Sequence, residues 1–477
     1  MKATWSRRQL GIILALAAVY FVAGKLGLRL AVVNASASAV WPPTGIALAA
    51  CLIFGRRVWP GVLLGAFLVN VTTAGSALTS LGIAIGNTLE VLAASYLVER
   101  WAGGRAAFDR ARDVLAFALL AGLAATTVSA SVGTLSLVLG GLARWSDAGA
   151  IWLTWWLGDG GGSLVVAPLI LLWSAPASAP WDDRQVLEGA ALLAASVVIG
   201  EIALGSLLLP WTGGGRPLTF LCMPLFLWAA FRFGRRGAAV VVTIEYAIAV
   251  EATLHGLGAF SRASLTESFL LLQVFTCVAS VTTMMMAALV SERRRAEARL
   301  TVLANHDALT GLGNYRLLVD VLEREIQRSN RTERTFAVLF LDLDRLKVIN
   351  DQYGHLVGSR ALWRVAEALR RSCRAIDSAA RYGGDEFALV LPESDEAAAR
   401  SVAVRVSELL STDGEAPSVT VSSGCAVYPR DGTTLAALLA VADRAQYVVK
   451  EVHSGGHRHL GEVRARQHPS EPEGRRA

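Results

Sequence analysis

Long apolar segments recur along the first part of this chain and then stop, and this pattern constrains the fold more than any other feature. Segments of roughly 18–25 apolar residues extend from Gln9 to Val290, and about 20 apolar residues suffice for a helix to cross a bilayer. Hydrophobic residues make up 53% of the 477 residues and charged residues 18%, which is unusual for a soluble protein. The sequence therefore predicts a polytopic α-helical membrane domain followed by a soluble domain.

Ten membrane spans can be drawn, and eight is the alternative if Pro- or Gly-containing segments are re-entrant. Their approximate limits are 9–28, 39–55, 58–76, 78–98, 112–139, 150–173, 187–209, 216–233, 237–258 and 268–292. An inside N-terminus puts the arginine clusters on the cytoplasmic side, as the positive-inside rule requires. These clusters explain the net charge of +6, so we expect membrane lipid and no nucleic acid as a partner. The C-terminal domain is predicted to be cytoplasmic.

Several polar residues lie inside the predicted spans, among them Asn87, Glu90 and Asp159. An ionisable group there costs a few kcal/mol unless it is paired or faces water. Such residues either line a polar cavity or only hold the bundle together by hydrogen bonds between helices. Broken helices with buried carboxylates are also typical of transporters, which form a competing functional class.

Three blocks of the membrane half resemble a known sensor family. They are WPPTGIALAACLIFGRRVWPGVLLGAFLVN (41–70), IGNTLE (85–90) and WLTWWLGDGGGSLVVAPLILLW (152–173), and they are similar to the integral membrane sensor domain MASE1. The resemblance covers most of residues 9–292 and implies perception of a small ligand, which it does not identify. Asn87, Glu90 and Asp159 are our candidates for the sensing pocket.

A charged helical segment follows the last span. Leu289, Ala296, Leu300 and Leu303 recur at helical spacing along one stripe. This pattern predicts that the last membrane helix continues into a short helix that forms a dimer. A simple amphipathic linker packed on its own domain is the alternative.

Residues beyond this connector alternate between strand-like and helix-like patterns. FAVLFLDLD (336–344), RYGGDEFALVLP (381–392) and SVTVSSGCAVYP (418–429) are typical of strands, with helix-like stretches between and after them. About 160 residues are enough for one core. The alternation predicts an α+β domain with helices around one sheet.

Acidic residues cluster at the predicted strand ends. Asp342 and Asp344 end one strand, and the turn of the predicted hairpin carries Gly383, Gly384, Asp385 and Glu386. Glycines have no Cβ, so a nucleotide can approach their backbone closely. Carboxylates on neighbouring strand ends can hold Mg²⁺, or Mn²⁺ in its place, because a hard cation prefers oxygen and bridges to phosphates.

Five blocks in the soluble half resemble the GGDEF diguanylate cyclase family. They are DALTGLGNYR (307–316), DLDRLKVINDQYGH (342–355), RAID (374–377), RYGGDEF (381–387) and ADRAQYVVK (442–450). The resemblance implies a nucleotidyl cyclase-like fold in which two GTP molecules, one on each subunit of a homodimer, are joined into cyclic di-GMP. Two pyrophosphates would be released.

The resemblance also implies roles for the matching residues. The metal ligands would be Asp342, Asp385 and the Leu343 carbonyl, and Asp385, Lys347 and Glu386 would serve catalysis. The substrate-binding residues would be Asn350, His355, Ser359, Gly383, Gly384 and Lys450. Attack of a ribose 3′-oxygen on an α-phosphorus needs metal and cations to absorb negative charge.

Ser359 departs from the family pattern, which usually has Asp nine residues after the asparagine equivalent to Asn350. A carboxylate accepts from N1–H and the amino group of guanine, whereas a hydroxyl can face guanine or adenine because it both donates and accepts. A hybrid promiscuous subgroup is similar in having Ser there and makes cyclic GMP-AMP as well. A less active ordinary cyclase is the other interpretation.

Arg374 and Asp377 match the RxxD pattern that in this family binds cyclic di-GMP as a feedback inhibitor. An arginine fork suits both phosphate and guanine. Taken alone, this pair is more often a surface ion pair at a helix end. Its position shortly before the glycines favours the inhibitory interpretation.

Together these patterns predict a membrane sensor domain (1–292), a signalling helix (293–305), a GGDEF domain (306–460) and a disordered tail (461–477). We predict a multi-pass diguanylate cyclase of the bacterial inner membrane. The alternatives are a hybrid cyclase, a weakly active domain that serves as a cyclic di-GMP receptor, and a transporter with a regulatory tail.

Overall fold

The computed structural model describes residues 6–73, 76–176, 182–205 and 218–465. The chain divides into two compact units, Met1–Arg295 and Ala296–Ala477. Each unit has its own hydrophobic core, and each is described separately below.

The first unit is almost entirely helical. Its helices are α1 (Arg7–Leu28), α2 (Pro42–Phe54), α3 (Trp59–Val71), α4 (Ala77–Trp101), α5 (Ala111–Leu139), α6 (Trp145–Ser174), α7 (Asp183–Ala203), α8 (Thr219–Leu254) and α9 (Leu265–Asn305). Among the described residues, seven helices are long and apolar enough to cross a membrane. A small antiparallel ribbon of β1 (Ala31–Asn34) and β2 (Ala37–Ser38) joins α1 to α2.

Among the described residues, a helical segment lies within each of the ten predicted spans, although the segments are not equally long. Residues 74–75, 206–209 and 216–217 of those spans lie outside the described residues. The helices α2 and α3 have only 13 residues each, fewer than the roughly 20 that a span needs. Within α8 the backbone of Gly234 adopts a φ of +62°, and a separate helix, Gly234–Leu254, begins there. This break divides α8 into the two predicted segments 216–233 and 237–258, while the number of spans stays a prediction.

Glycines let the centre of this bundle pack at backbone distance. A Cβ added to Gly162 of α6 would overlap the Trp41 carbonyl at the start of α2, and one on Gly158 would overlap the Ser38 carbonyl. A segment of π-helix, Gly162–Val166, follows directly. It is one of three π-helical segments in the described part of this unit, with Ala118–Ala124 and Ala229–Phe233, and it lies directly after the turn of α6 that carries Asp159.

The second unit is an α+β domain, as predicted. Its helices are α10 (Tyr315–Thr332), α11 (Leu346–Tyr353), α12 (His355–Ser372), α13 (Glu396–Thr412) and α14 (Leu435–Ala465). Its strands are β3 (Phe336–Leu343), β4 (Ser378–Gly383), β5 (Glu386–Pro392) and β6 (Val421–Tyr428). They form one antiparallel sheet in the order β4-β5-β3-β6.

The central strand β3 is buried along its whole length. Alternate residues of β3 contribute to two clusters on opposite faces of the sheet, one with α12 and α13 and the other with α10 and α14. This double coverage explains why the strand is a continuous apolar run. The apolar run is interrupted at Asp342, which is the first polar residue of β3 and lies near one end of the sheet.

The connector and the tail are partly described. The predicted signalling helix is the C-terminal part of α9, where Leu300 and Leu303 are exposed. The helix α14 continues to Ala465, beyond the predicted end of the GGDEF domain at residue 460. Residues 466–477 of the predicted tail lie outside the described residues.

A buried arginine holds the far side of this domain together. Arg364 of α12 is only 5% exposed, donates to both Asp413 carboxylate oxygens at 2.7 Å and donates to the Pro417 carbonyl at 2.7 Å. An Arg364→Met substitution is expected to lower the free energy of unfolding of this domain by about 2 kcal/mol, because it leaves a partly buried carboxylate and a carbonyl unpaired. Pulse proteolysis of the detergent-solubilised chain in urea measures the change.

Arg360, on the same helix, supplies the matched control. It pairs with Glu415 at the surface, so Arg360→Met should leave stability nearly unchanged. Partial burial raises the pKa of Asp413, but the hydrogen bonds from Arg364 and the Glu415 N–H outweigh it and hold the pKa below its usual range. The ion pair therefore stabilises the fold above the ordinary aspartate pKa of about 3.9 and is lost as the pH falls below it. Equal effects of the two substitutions would contradict this assignment.

Candidate active site

The GGDEF segment forms a tight hairpin between β4 and β5, as the glycine pair predicted. Gly383 pairs with Glu386, so Gly384 and Asp385 form the two-residue turn. Gly384 has a φ of +50°, a conformation that glycine adopts without strain. A Cβ added to either glycine would meet no described atom within 4 Å, so the tip of the hairpin is open.

The register of the sheet brings the predicted metal ligands to one edge. Asp342 of β3 lies opposite Glu386 of β5, and the Leu343 N–H donates to the Asp385 carbonyl at 2.9 Å. Lys450 of α14 donates to Asp342 Oδ1 at 2.6 Å. Residues that are 108 positions apart thus meet because β3 and α14 pack on one another.

Asp344 follows in the same sequence block but is occupied elsewhere. Its two carboxylate oxygens accept from the hydroxyls of Thr420 and Ser422, each at 2.7 Å. Both donors come from β6 or the residues just before it, on the other side of β3. Asp344 therefore stabilises the end of the sheet through these hydrogen bonds, and Asp342 is the carboxylate of β3 that lies beside the hairpin.

The electrostatics of the site reflect a surplus of negative charge. Partial burial raises the pKa of Asp342, and the charge of Asp385 adds to this effect although Lys450 opposes it. Burial also raises the pKa of Glu386, followed by repulsion from Asp342 and Asp385. Burial alone would lower the pKa of Lys450, but the hydrogen bond to Asp342 and the surrounding carboxylates raise it. One lysine does not neutralise these carboxylates.

This donor set fits a hard divalent cation. Carboxylates that repel each other at an open edge, next to a backbone carbonyl, are the ligands that Mg²⁺ prefers. Asp342, Asp385 and the Leu343 carbonyl would hold the ion, and the described residues contain no cluster of three or more Asp, Glu, His or Cys side chains suited to a metal. The predicted set of two carboxylates and one carbonyl needs no such cluster.

An arginine that the sequence analysis did not single out braces the hairpin. Arg381 of β4 donates to the Gly384 carbonyl through Nε at 3.0 Å and Nη2 at 2.5 Å, and through Nη1 to both Asp307 oxygens at 3.2 Å. Asp307 also accepts from the backbone and side chain of Thr310 at 2.8 and 2.7 Å. Both residues lie inside motif blocks, yet nothing in the sequence indicates that positions 74 residues apart form a pair.

An open groove lies along α11 and includes Lys450, the lysine that is bonded to Asp342. It has a volume of about 500 Å³ and is lined by residues that include Asp344, Gln352, Tyr353, Thr420 and Lys450. This volume lies in the usual range of small-molecule sites. Lys347 is an exposed residue in the first turn of α11, the helix that lines this groove. Gln352, Tyr353 and Thr420 were not predicted as lining residues.

The predicted base-reading residues form a second group. A Cβ added to Gly358 would overlap the Asn350 carboxamide, so the glycine leaves room for that side chain to lie against α12. Ser359 is the next residue and is half-buried, whereas His355, which begins α12, is exposed. Asn350 and Ser359 are therefore neighbours around one glycine.

Arg374 and Asp377 lie in the turn between α12 and β4. The Arg374 N–H donates to Asp377 Oδ2 at 2.7 Å, and the Arg374 side chain is exposed. The carboxylate is thus bonded to the arginine's backbone, and the guanidinium faces solvent. In the first unit, Asn87, Glu90 and Asp159 are all buried and lie close together, and their role in sensing stays a prediction.

The fold and the site together define a class: a multi-pass helical membrane protein that carries an α+β domain with an acidic, phosphate-compatible edge. The chain belongs to the MASE1 family, whose profile matches residues 12–294, and residues 304–455 match the diguanylate cyclase GGDEF domain. Both predicted resemblances are thereby confirmed.

Two relatives from Pseudomonas aeruginosa match about a third of the chain. MucR, a bifunctional diguanylate cyclase/cyclic di-GMP phosphodiesterase from Pseudomonas aeruginosa, is 42% identical over 34% of this chain and 24% of its own length. The diguanylate cyclase TpbB from the same organism is 38% identical over 35% of this chain and 39% of its own length. The chain thus spans well under two thirds of these relatives.

A solved structure is also similar. The crystal structure of a sensory box/GGDEF family protein from Caulobacter crescentus has 40% sequence identity, with 31% of this chain and 99% of that chain covered and a TM-score of 0.30.

Proposed function

We propose that this protein is a membrane-bound diguanylate cyclase, which condenses two GTP molecules to cyclic di-GMP with release of two pyrophosphates. The observation that carries the proposal is the meeting of Asp342, Asp385 and Lys450 at one open sheet edge inside a domain that is 38% identical to the diguanylate cyclase TpbB. Carboxylates for a metal and a lysine for phosphate are the groups that phosphoryl transfer requires.

The residues at this edge of the sheet would have distinct roles in the reaction. Mg²⁺, held by Asp342, Asp385 and the Leu343 carbonyl, would neutralise charge on the triphosphate. Lys450 and Lys347 would add positive charge at the phosphates, and Asp385 would accept the proton of the attacking 3′-hydroxyl. Glu386 shares the negative field of the edge, and the open backbone at Gly383 and Gly384 admits the nucleotide.

Two subunits are needed because each supplies one GTP and the two bond-forming steps join them. The exposed Leu300 and Leu303 at the end of α9 support a homodimer through the connector helix and the cyclase domains. We place the N-terminus and the cyclase domain in the cytoplasm of a bacterial inner membrane, with the domain limits predicted above. Asn87, Glu90 and Asp159 are proposed as the sensing pocket.

The direct test uses the full-length chain in liposomes supplied with GTP and Mg²⁺. Cyclic di-GMP and pyrophosphate should appear in a ratio of one to two, and chelation of the metal should stop both. A wild-type chain that binds cyclic di-GMP but makes none would instead support the receptor interpretation.

Ser359 favours a second product. It is half-buried beside Gly358 and Asn350, and its hydroxyl can face guanine or adenine. With equal GTP and ATP, we expect cyclic GMP-AMP beside cyclic di-GMP. A Ser359→Asp substitution should raise the ratio of cyclic di-GMP to cyclic GMP-AMP by about tenfold, because a carboxylate repels the N1 of adenine. Chromatography of the products checks the ratio, and cyclic di-GMP alone from the wild-type chain would remove the mixed-product hypothesis.

Arg374 and Asp377 are proposed as a feedback site for the product. The support is an exposed guanidinium above a carboxylate that is bonded to the backbone of the same turn. A guanidinium in this position can bind the phosphate or the guanine of cyclic di-GMP.

A further inference from the structure

Two carboxyl groups lie side by side in the interior of the membrane unit. Glu90 of α4 and Asp159 of α6 have no exposed surface, and their side chains interact directly. Asp159 accepts from the Thr44 hydroxyl at 2.7 Å and from the Ser129 hydroxyl. Among the described residues, neither oxygen of Glu90 has a hydrogen-bond donor.

The groups around this pair are polar and come from five helices. They are Tyr20 of α1, Trp41 and Thr44 at the start of α2, Asn87 of α4, Ser129 of α5 and Trp155 of α6. Within the part of the chain that the structure describes, no lysine, arginine or histidine is paired with either carboxyl. Two adjacent carboxylates without a cation cannot both stay ionised in this environment.

The pattern of hydrogen bonds assigns the proton within the pair. Asp159 is bonded by two hydroxyl donors, which stabilise a carboxylate. Ser129 lies near both carboxyls, but its hydroxyl donates to Asp159. Glu90 has no donor among the described residues, so its neutral form avoids an unpaired buried charge. A proton taken up by the Glu90 carboxylate forms an O–H that donates to Asp159.

Polar groups without hydrogen-bond partners lie next to the pair. They indicate a binding site, because a purely structural contact would satisfy their hydrogen bonds. Both carboxamide atoms of Asn87, the Tyr20 hydroxyl and the Trp41 indole N–H are buried without a hydrogen-bond partner among the described residues. Tyr20 lies close to Asn87, Trp41 and both carboxyls. Such groups can rearrange when the charge of the pair changes.

The last membrane helix is bonded to this region at two levels. The Gln273 side chain of α9 donates to the Ala39 carbonyl just before α2 and lies against Gly161, two residues after Asp159. Farther along α9, the Ser280 hydroxyl donates to the Leu164 carbonyl within the π-helical segment of α6, at 2.5 Å. The helix α9, which leads to the connector, is thus in contact with the part of α6 that directly follows Asp159.

We propose that Glu90 and Asp159 form a proton-binding site whose occupancy is transmitted through α6 to α9 and sets the output of the chain. The coupling part of this inference depends on the proposed cyclase function, whereas the proton site does not. The input would be the proton activity on the side of the membrane to which the pair is connected. Gln273 acts as a positioning residue between the site and the output.

Infrared difference spectroscopy of the full-length protein in phosphatidylethanolamine and phosphatidylglycerol liposomes tests the proton site without any cyclase assay. The wild-type protein should show a carbonyl band of a protonated carboxylic acid that responds to pH. Glu90→Gln and Asp159→Asn should each lose or shift it. Glu245→Gln, which alters a buried carboxyl elsewhere on α8, should keep it. A spectrum of Glu90→Gln that is identical to that of the wild-type protein in this region would overturn the site.

Cyclic di-GMP formation in the same liposomes tests the coupling. At each pH, the rate of the wild-type chain is divided by the rate of Glu90→Gln. This ratio should change by about fivefold or more between mildly acid and mildly alkaline buffer, because typical coupling between two sites has this size. Gln273→Leu should keep the infrared band and lose this response. A ratio that does not change with pH while the band titrates would overturn the coupling.

Two further outcomes separate the competing explanations. If Na⁺ at constant pH removes the band and changes the output as alkali does, the site binds a metal cation and the proton assignment is wrong. If no chain makes cyclic di-GMP at any pH, the proposed cyclase function fails, and the infrared band still decides whether the pair binds a proton.

Discussion

An Asp385→Asn chain is expected to form cyclic di-GMP about 100- to 1000-fold more slowly than the wild-type chain. Asp385 lies in the two-residue turn of the hairpin, and its carboxylate is part of the negative edge shared with Asp342 and Glu386. The substitution keeps the shape of the side chain but removes the charge that would hold Mg²⁺ and accept the 3′-hydroxyl proton. Loss of one preorganised electrostatic group at a reacting centre costs this much.

The assay is product formation from GTP by the full-length chain in liposomes, at equal membrane levels of each variant. Asp320→Asn is the matched control, since Asp320 is an exposed residue of α10 and should retain wild-type turnover. The Asp385→Asn chain should also bind Mg²⁺ more weakly than the wild-type chain. Isothermal titration calorimetry measures this affinity separately. Wild-type turnover of Asp385→Asn would refute the metal assignment.

The second large effect is expected from the brace behind the hairpin. Arg381→Gln should slow product formation by about 10- to 100-fold, the usual cost of removing a group that orients metal ligands. Arg381 touches no predicted ligand side chain but bonds to the Gly384 carbonyl in the turn and to Asp307. We therefore expect a higher Mg²⁺ concentration to be needed for the half-maximal rate. The hairpin keeps its carboxylates in this variant, but they are no longer held in the orientation that binds the metal.

A double-mutant cycle separates positioning from general destabilisation. Asp307→Asn should cause a similar defect, and the double variant should be little worse than either single one, since both remove the same ion pair. Arg328→Gln is a suitable control because Arg328 pairs with Glu393 at the surface. Additive losses, or a loss of rate without any change in Mg²⁺ dependence, would argue against a positioning role.

Much of the fold followed from local patterns. The apolar segments placed ten helical stretches, and alternating patterns placed the strands β3, β5 and β6, because hydrophobic periodicity depends on which faces are buried. The short helix α11 and the long helix α10 were not predicted. The helices α2 and α3 have 13 residues each and are shorter than the predicted segments 39–55 and 58–76, since α2 begins only at Pro42 and α3 ends at Val71.

The candidate site was predictable only where motif residues are neighbours in the sequence. The turn at Gly384 and Asp385 follows from the glycine pair. The bond between Lys450 and Asp342 depends on how α14 packs against the sheet, which no local pattern specifies. The same holds for Arg381 and Asp307, whose pairing requires the segment before α10 to lie beside β4.

The sequence alone determined that this protein has a membrane half and a catalytic-type half, because apolar length and motif order are local properties of the chain. It also determined which carboxylates and lysines are available. Tertiary structure alone decided that Asp342, Asp385 and Lys450 share one edge, that Asp344 is bonded away from it, and that Glu90 meets Asp159 inside the bundle. These contacts join distant segments, and their geometry is set by packing between helices and strands.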